Sequence, residues 1–361
     1  MLVTGTGETS SALKIPHSSS HSSSGKMLQT TAYHAPLLEY SNELLRQPAN
    51  SAIALLPPVV DMSSSRDEVC RAILDGGKEF GFIQVVNHGI PEQAIRDMEL
   101  VSQEFFQLSA ADKAHLYSED TNKPTRFFSG TTFETGGDKY SMNTLRLAYS
   151  FPNGDSSNDW PSSPPRLREV AMKYMELTRG LGMELLRLLC EGLGLRSDYF
   201  EGDISRGDAA LSLFQYPPSS DPSMTLGLPP HCDRNLITIL LPSAVKGLQI
   251  LYNGDWIDAQ SVPNAFIVNF GLQLEVVTNG ILKSIEHRVV TNSTVSRLSI
   301  GTFIHPTENC LIGPADEFLT EDNPPLYRAM TFGDFKRIYN VIKLGSSLNL
   351  TTNLRDIQEN I

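Results

Sequence analysis

Cysteine is scarce in this chain: Cys70, Cys190, Cys232 and Cys310 are the only four, widely separated and with no C-x-x-C pair. That excludes a disulfide framework and a thiolate zinc site, and it fits a reducing compartment. No apolar run approaches the ~20 residues that a membrane-spanning helix needs. Basic charge is in deficit as well, 29 Lys and Arg against 41 Asp and Glu. An acidic surface of this kind argues against nucleic acid or an anionic membrane as partner. The N-terminus lacks the charged-then-apolar order of a secretory signal. It is rich in Ser and poor in acid, as transit peptides are, but has no Arg before Arg46. The cytoplasm is therefore the expected compartment, with plastid targeting the lesser alternative. Internal repeats are absent.

The leader has few large apolar side chains and carries the runs Ser18–Ser20 and Ser22–Ser24. Residues 1–56 are expected to be disordered or weakly ordered, because they bury too little to offset their ordering entropy. One domain is expected over 57–345. It comprises a helical and strand part (57–165), a long helix (166–200) and a strand-rich core (208–306), followed by a tail at 346–361.

Helical signals dominate first. Ser63–Ser65 offer N-caps ahead of Asp67 and Glu68, and Gly76–Gly77 weaken the end of that helix. A strand over Gly81–Val86 leads into the turn Asn87–His88–Gly89. Pro91 opens a second helix, and a long one follows Pro164–Pro165, with Val170, Tyr174, Leu177, Leu181, Leu185 and Leu188 on one stripe. It stops at Gly192 and Gly194. The Pro-rich 152–165 stretch, which holds Trp160, reads as a surface connection.

After residue 208 the period becomes alternating. Leu211–Tyr216, Ile237–Leu241, Leu248–Tyr252, Trp256–Gln260, Ala265–Phe270, Ser284–Thr291 and Arg297–His305 read as strands, with Asn253–Gly254 a hairpin turn. Helices first and short strands later point to an α+β chain, a β-sandwich or jelly-roll core with helices packed outside.

Eight histidines allow each to be weighed as a ligand. His17, His21 and His34 fall in the leader, His115 on a polar helix, His88 in a tight turn and His305 before Pro306; each reads as structural or solvated. His231 and Asp233 are different, since residues i and i+2 of a strand share a face and would converge an imidazole and a carboxylate on one point. His287, in a distant strand, could complete a two-histidine, one-carboxylate site with coordination positions left open. The bland alternative for H-x-D alone is a polar strand end. Arg297 and Ser299 again share a strand face, among Leu298, Ile300 and Ile304. A guanidinium pointing inward there needs an anion, and a ligand carboxylate would fit it.

H-x-D, the later His and the R-x-S beyond it together resemble the plant iron(II)/2-oxoglutarate-dependent dioxygenases. Gly81–Gly89, Tyr216–Pro217–Pro218, Leu226–His231 and Asn323–Tyr327 resemble further segments of that family. The resemblance implies a double-stranded β-helix, iron(II) held by His231, Asp233 and His287, and 2-oxoglutarate held by Arg297, Ser299 and Tyr216. It implies oxidation, chiefly hydroxylation, of a small plant metabolite such as an alkaloid, phenolic or flavonoid, with release of succinate and CO2 and ascorbate as reductant. Hyoscyamine 6-hydroxylase-like and salicylate- or flavone-type enzymes look closest. A monomer is expected.

The chain departs from the family at Phe214 (often Asn), Ser219–Ser220 (Cys-Pro), Ser141–Met142–Asn143 (Trp-Arg-Asp) and Gly271–Leu272 (Gly-Asp). Retention of Asp233 disfavours halogenation. Substrate contacts are expected from Phe128, Phe133, Tyr149, Gln273 and Phe303, each of which could instead be plain core. Alternative readings are desaturation, epoxidation or ring closure with the same cofactors, a non-catalytic small-molecule binder, and a zinc or manganese hydrolase.

Overall fold

The computed structural model describes residues 56–130, 140–150, 155–207, 209–222 and 225–341. Phe133, most of the leader and the C-terminal tail lie outside them.

Helix α1 (Arg66–Glu79) starts at Ser65, whose backbone N–H and hydroxyl both donate to the Glu68 carboxylate, at 3.1 and 2.8 Å. This reciprocal cap satisfies donors that a helix start leaves orphaned. Gly76 and Gly77 do more than weaken this helix. A Cβ at Gly76 would stand 2.3 Å from Ile83 Cγ2, and one at Gly77 2.2 Å from the Phe270 ring. The glycines let α1 lie flat on the strands. Helix α2 (Glu92–Gln107) follows Pro91, and α3 (Leu167–Leu193) ends at Gly194 with φ 72°. On α3, Thr178 Oγ1 meets Thr302 Oγ1 at 2.8 Å, and Gly182 sits against Ile304 and Ile239.

The strands of the two main sheets are β1 (Val59–Asp61), β2 (Phe82–Val86), β3 (Arg126–Ser129), β4 (Asn143–Tyr149), β5 (Ala209–Tyr216), β6 (Leu226–His231), β7 (Ile237–Leu241), β8 (Leu248–Tyr252), β9 (Asp255–Asp258), β10 (Phe266–Phe270), β11 (His287–Val290) and β12 (Arg297–Ile304). Eight form a large sheet in the order β1-β2-β10-β7-β12-β5-β4-β3, and four a small one, β6-β11-β8-β9. Asn253 and Gly254, at φ 52° and 88°, make the β8–β9 turn in the doubly left-handed form that two-residue hairpins favour.

Alternation gives the large sheet two faces. Leu145, Leu147, Leu211, Leu213, Ile237, Ile239, Ile300 and Ile304 point to the helices and build the main core. A second apolar cluster joins Phe82, Phe128, Tyr216, Leu240 and Ile267 to Leu248, Ile250 and Val289 of the small sheet. This jelly-roll arrangement encloses the face that carries the chemistry.

Several expectations need correcting. Ser284–Thr291 is a strand only over His287–Val290, and Asp233 lies just past the end of β6. Strands β3, β4 and β6 were not read from the sequence. Trp160 is buried and donates Nε1–H to Ala148 O at 2.7 Å, so the Pro-rich stretch is pinned there to the fold.

Candidate active site

Antiparallel pairing of β6 with β11 sets His231 directly opposite His287. Their rings stand 4.2 Å apart, and Asp233 swings in from the loop beyond β6. Asp233 Oδ1 lies 3.7 Å from His231 Nε2 and 3.8 Å from His287 Nε2. The three ligand-type atoms fall within 4.8 Å of one another, close enough to hold one metal ion.

Each of these side chains is oriented from behind. His231 Nδ1 lies 2.9 Å from Pro229 O and His287 Nδ1 lies 3.2 Å from Ile285 O. With Nδ1–H donating to a carbonyl, Nε2 keeps its lone pair for a metal. Asp233 Oδ2 accepts from Thr238 Oγ1 at 2.6 Å and from Asn269 Nδ2 at 3.2 Å, which leaves Oδ1 turned to the imidazoles. Burial opposes ionisation of Asp233, but His287, His231 and these two donors outweigh it and hold the carboxyl below its usual range. Burial and the neighbouring His287 push the His231 imidazole down to about 4, against the pull of Asp233, so the ring is neutral at pH 7. A neutral imidazole and an ionised carboxylate are the forms that bind a metal. Phe82 packs edge-on to His287 at 5.3 Å and helps close the site.

The large sheet faces this cluster with a second polar group. Arg297 is 3% exposed and pairs in register with Tyr216, its guanidinium carbon 5.1 Å from the Tyr216 ring centre. Its Nη1 donates to Ser299 Oγ at 3.0 Å, while its Nε is enclosed without a partner. Among the described residues it forms no ion pair. Burial lowers its pKa, opposed by Tyr216, and a guanidinium still stays charged. A buried cation with a spare donor fits an incoming carboxylate, and a histidine–histidine–carboxylate set fits a divalent iron. Iron(II) and 2-oxoglutarate therefore both match donors present in the site.

The expected substrate residues separate. Phe128 and Phe303 lie on the enclosed face, and Phe303 meets Phe214 edge-on at 6.3 Å. Phe214, at the position of the family's Asn, stacks towards Tyr216 and adds an apolar wall there. Tyr149 is a correction: it points to the helix side, 5.9 Å from Trp160 in the main core. The reason is parity, since Thr144, Arg146 and Ala148 take the enclosed face of β4. Gln273 lies in the short helix Leu272–Val277 that follows β10. It is buried and donates Nε2–H to Arg234 O at 3.0 Å, which braces the loop after Asp233. Phe133 lies outside the described residues. Thr238 and Asn269 were missed, although alternation along β7 and β10 places them on the same face.

Two family descriptions match the chain: non-haem dioxygenase in morphine synthesis N-terminal over residues 57–166, and 2OG-Fe(II) oxygenase superfamily over 207–306. The chain is 60% identical to the 2'-deoxymugineic-acid 2'-dioxygenase of Hordeum vulgare, across 87% of this chain and 92% of that one. It is 53% identical to the mugineic-acid 3-dioxygenase of the same plant, covering 93% and 99%. The crystal structure of JOX2 in complex with 2OG, Fe and JA superposes with a TM-score of 0.70 at 30% identity, covering 86% of this chain and 90% of that one. The chain belongs to the 2-oxoglutarate- and iron(II)-dependent oxygenase superfamily and is a dioxygenase of the plant type.

Proposed function

We propose that this dioxygenase hydroxylates a small organic acid of the deoxymugineic or mugineic type, the acids for which the two barley dioxygenases are named. The observation that carries the reading is identity of 60% over nearly the whole domain to a 2'-dioxygenase of such an acid. His231, Asp233 and His287 would hold the iron, and Arg297, Ser299 and Tyr216 the distal carboxylate of 2-oxoglutarate. When bound, the pair supplies oxygen activation coupled to oxidative decarboxylation: substrate, O2 and 2-oxoglutarate give hydroxylated substrate, succinate and CO2.

The protein's own residues do the rest. Carbonyls of Pro229 and Ile285 fix the imidazole tautomers, and Thr238 and Asn269 hold Asp233 with one oxygen free. Arg297 offers the planar fork that a carboxylate takes in two hydrogen bonds. The apolar cluster around Phe82, Leu240, Leu248 and Ile250 keeps the site dry, which strengthens these charge interactions. Desaturation, epoxidation or ring closure would use the same cofactors. Ascorbate is the expected reductant. None of the four cysteines forms a disulfide, in keeping with a cytoplasmic protein, and a monomer is expected.

The test is turnover by the purified protein with iron(II), ascorbate and 2-oxoglutarate, comparing 2'-deoxymugineic acid, mugineic acid, hyoscyamine and a flavanone. Succinate formation that depends on one of the acids, with product heavier by one oxygen, is the expected result. Turnover only with the flavanone or hyoscyamine would overturn the substrate reading. Turnover that survives Asp233→Ala would overturn the site assignment.

A further inference from the structure

Asp233 and His287 come from loops far apart in the chain, and the strand ladder alone does not hold those loops together. Asp233 lies beyond the end of β6, and Ser284–Glu286 precede β11. The short helix Leu272–Val277 joins them. At its start it takes up four successive carbonyls of the loop that carries Asp233. Leu272 N–H donates to Asp233 O at 2.8 Å, Gln273 Nε2–H to Arg234 O at 3.0 Å, Gln273 N–H to Asn235 O at 3.2 Å and Gly271 N–H to Leu236 O at 2.7 Å. A Cβ on Gly271 would stand 2.0 Å from Asn235 O, so glycine is what lets the two backbones approach this closely.

One turn further on, Glu275 reaches towards the other ligand. Its side chain is buried, and Oε2 accepts Ser284 N–H at 2.7 Å, three residues before His287. Ser284 O in turn accepts the Cys232 thiol at 3.5 Å, and Cys232 stands between His231 and Asp233. Glu275 Oε1 accepts the Tyr327 hydroxyl at 2.6 Å. Tyr327 closes the Asn323–Tyr327 segment, which Asn279 seats by donating Nδ2–H to Pro324 O at 3.1 Å and accepting Leu326 N–H on Oδ1 at 2.7 Å. Beyond it, Tyr339 on the helix Phe332–Val341 donates its hydroxyl to Cys232 O at 2.8 Å. One carboxylate therefore ties the approach to His287 to the helix that seats Asp233, and two tyrosines hold this joint from the C-terminal side. Packing alone would not call for a carboxylate here, because burying one is costly unless donors meet it, and an apolar side chain would fill the space.

We propose that Glu275 is a positioning residue for the iron, a bracket that sets His287 against Asp233, and that Tyr327 and Tyr339 hold the bracket in place. All three act through the peptides of Ser284 and Cys232. This rests on the reading that His231, Asp233 and His287 are the iron ligands, and it gives the Asn323–Tyr327 segment a part in metal binding.

The test uses the full-length protein and its Glu275→Leu, Glu275→Gln, Tyr327→Phe and Tyr339→Phe variants. Iron(II) affinity is measured by anaerobic titration at a temperature where circular dichroism shows each protein folded. The visible absorption of the Co(II)-loaded protein is recorded beside it, because it reports ligand geometry. Glu275→Leu strands Ser284 N–H and the Tyr327 hydroxyl and is expected to weaken iron(II) roughly tenfold or more, with an altered Co(II) spectrum. Glu275→Gln can still accept Ser284 N–H while its amide donates to the Tyr327 hydroxyl, so most of the affinity and the wild-type spectrum should return. Each Tyr→Phe change removes one hydrogen bond and should weaken iron(II) about threefold to tenfold. The KM for 2-oxoglutarate at saturating iron should stay within about twofold, since Arg297 and Ser299 sit on the large sheet. A merely structural glutamate would lower the melting temperature of the metal-free protein and leave iron affinity and the Co(II) spectrum unchanged, and that result overturns the proposal. So does a Glu275→Gln variant as weak as Glu275→Leu. Should Glu275→Leu not fold, the two tyrosine variants decide, and wild-type iron affinity in both overturns it. A wild-type protein that binds no iron(II) would sink the ligand assignment and the bracket together, whereas tight wild-type binding with unaltered variants would sink the bracket alone.

Discussion

Thr238→Val isolates what positions the carboxylate at the proposed iron. The hydroxyl at 2.6 Å is the shorter of the two hydrogen bonds on Asp233 Oδ2, and valine keeps the shape while removing it. Asn235 Nδ2, which also donates to Thr238 Oγ1 at 3.0 Å, retains Ile237 O at 2.7 Å and is not orphaned. A hydrogen bond to a buried charge is worth about 1.5–3 kcal/mol, or roughly tenfold to a hundredfold in an equilibrium constant. Loss of an outer partner of a metal ligand weakens binding by a similar factor. Anaerobic iron(II) titration should show that loss in Thr238→Val, with kcat at saturating iron little changed. Asn269→Leu should cost less, because its bond is longer at 3.2 Å and its Oδ1 is already buried without a partner. The ranking is the sharper test. Iron affinity within about twofold of wild type in Thr238→Val, with cooperative unfolding intact, would refute the reasoning, as would a larger loss in Asn269→Leu.

Arg297→Met should raise KM for 2-oxoglutarate roughly tenfold to a hundredfold in steady-state assays, and Arg297→Lys should recover little of it because an ammonium lacks the fork. Unchanged KM would remove Arg297 from the co-substrate site. In the metal-free protein His231 titrates near 4 instead of 6.5, so the unfolded chain binds its proton more readily. Stability from this group is then full above about pH 6.5 and falls towards pH 4 by up to about 1.4 kcal/mol per unit, measurable by denaturant unfolding at stepped pH. A flat profile across that window would contradict it. Gly77→Ala should lower stability by about 1–3 kcal/mol despite alanine's better helix propensity, since its methyl would overlap Phe270; an unchanged melting temperature would show that the ring can move aside.

The catalytic face was legible where side-chain type and spacing coincided. His231 and Asp233 stood two apart, and Arg297 with Ser299 lay among apolar neighbours. The structure carries the first pair at the end of β6 in the small sheet and the second on β12 of the large one. What stayed hidden depended on pairing between distant strands. β6 carries Gly227, Pro229 and Pro230 and reads as a loop, because its hydrogen bonds come from β11. Inward spacing and family position put Tyr149 in the pocket, and only the alternation fixed by Ala148 and Arg146 turns it to the core.

The direct pairing of His231 with His287 makes strand register and chelation a single variable. β6 is poorly equipped to hold its own place: two prolines remove N–H donors, and the ladder with β11 shifts twice between His287 and Val290. A slip of one residue would carry His231 to the far face of the small sheet and leave the other two ligands behind. An ion gripping both imidazoles would therefore act as a dowel through two planks, fixing the alignment of the strand least able to fix itself. Deletions or insertions near Pro229 and Pro230 would then be felt first as lost metal and only afterwards as lost fold.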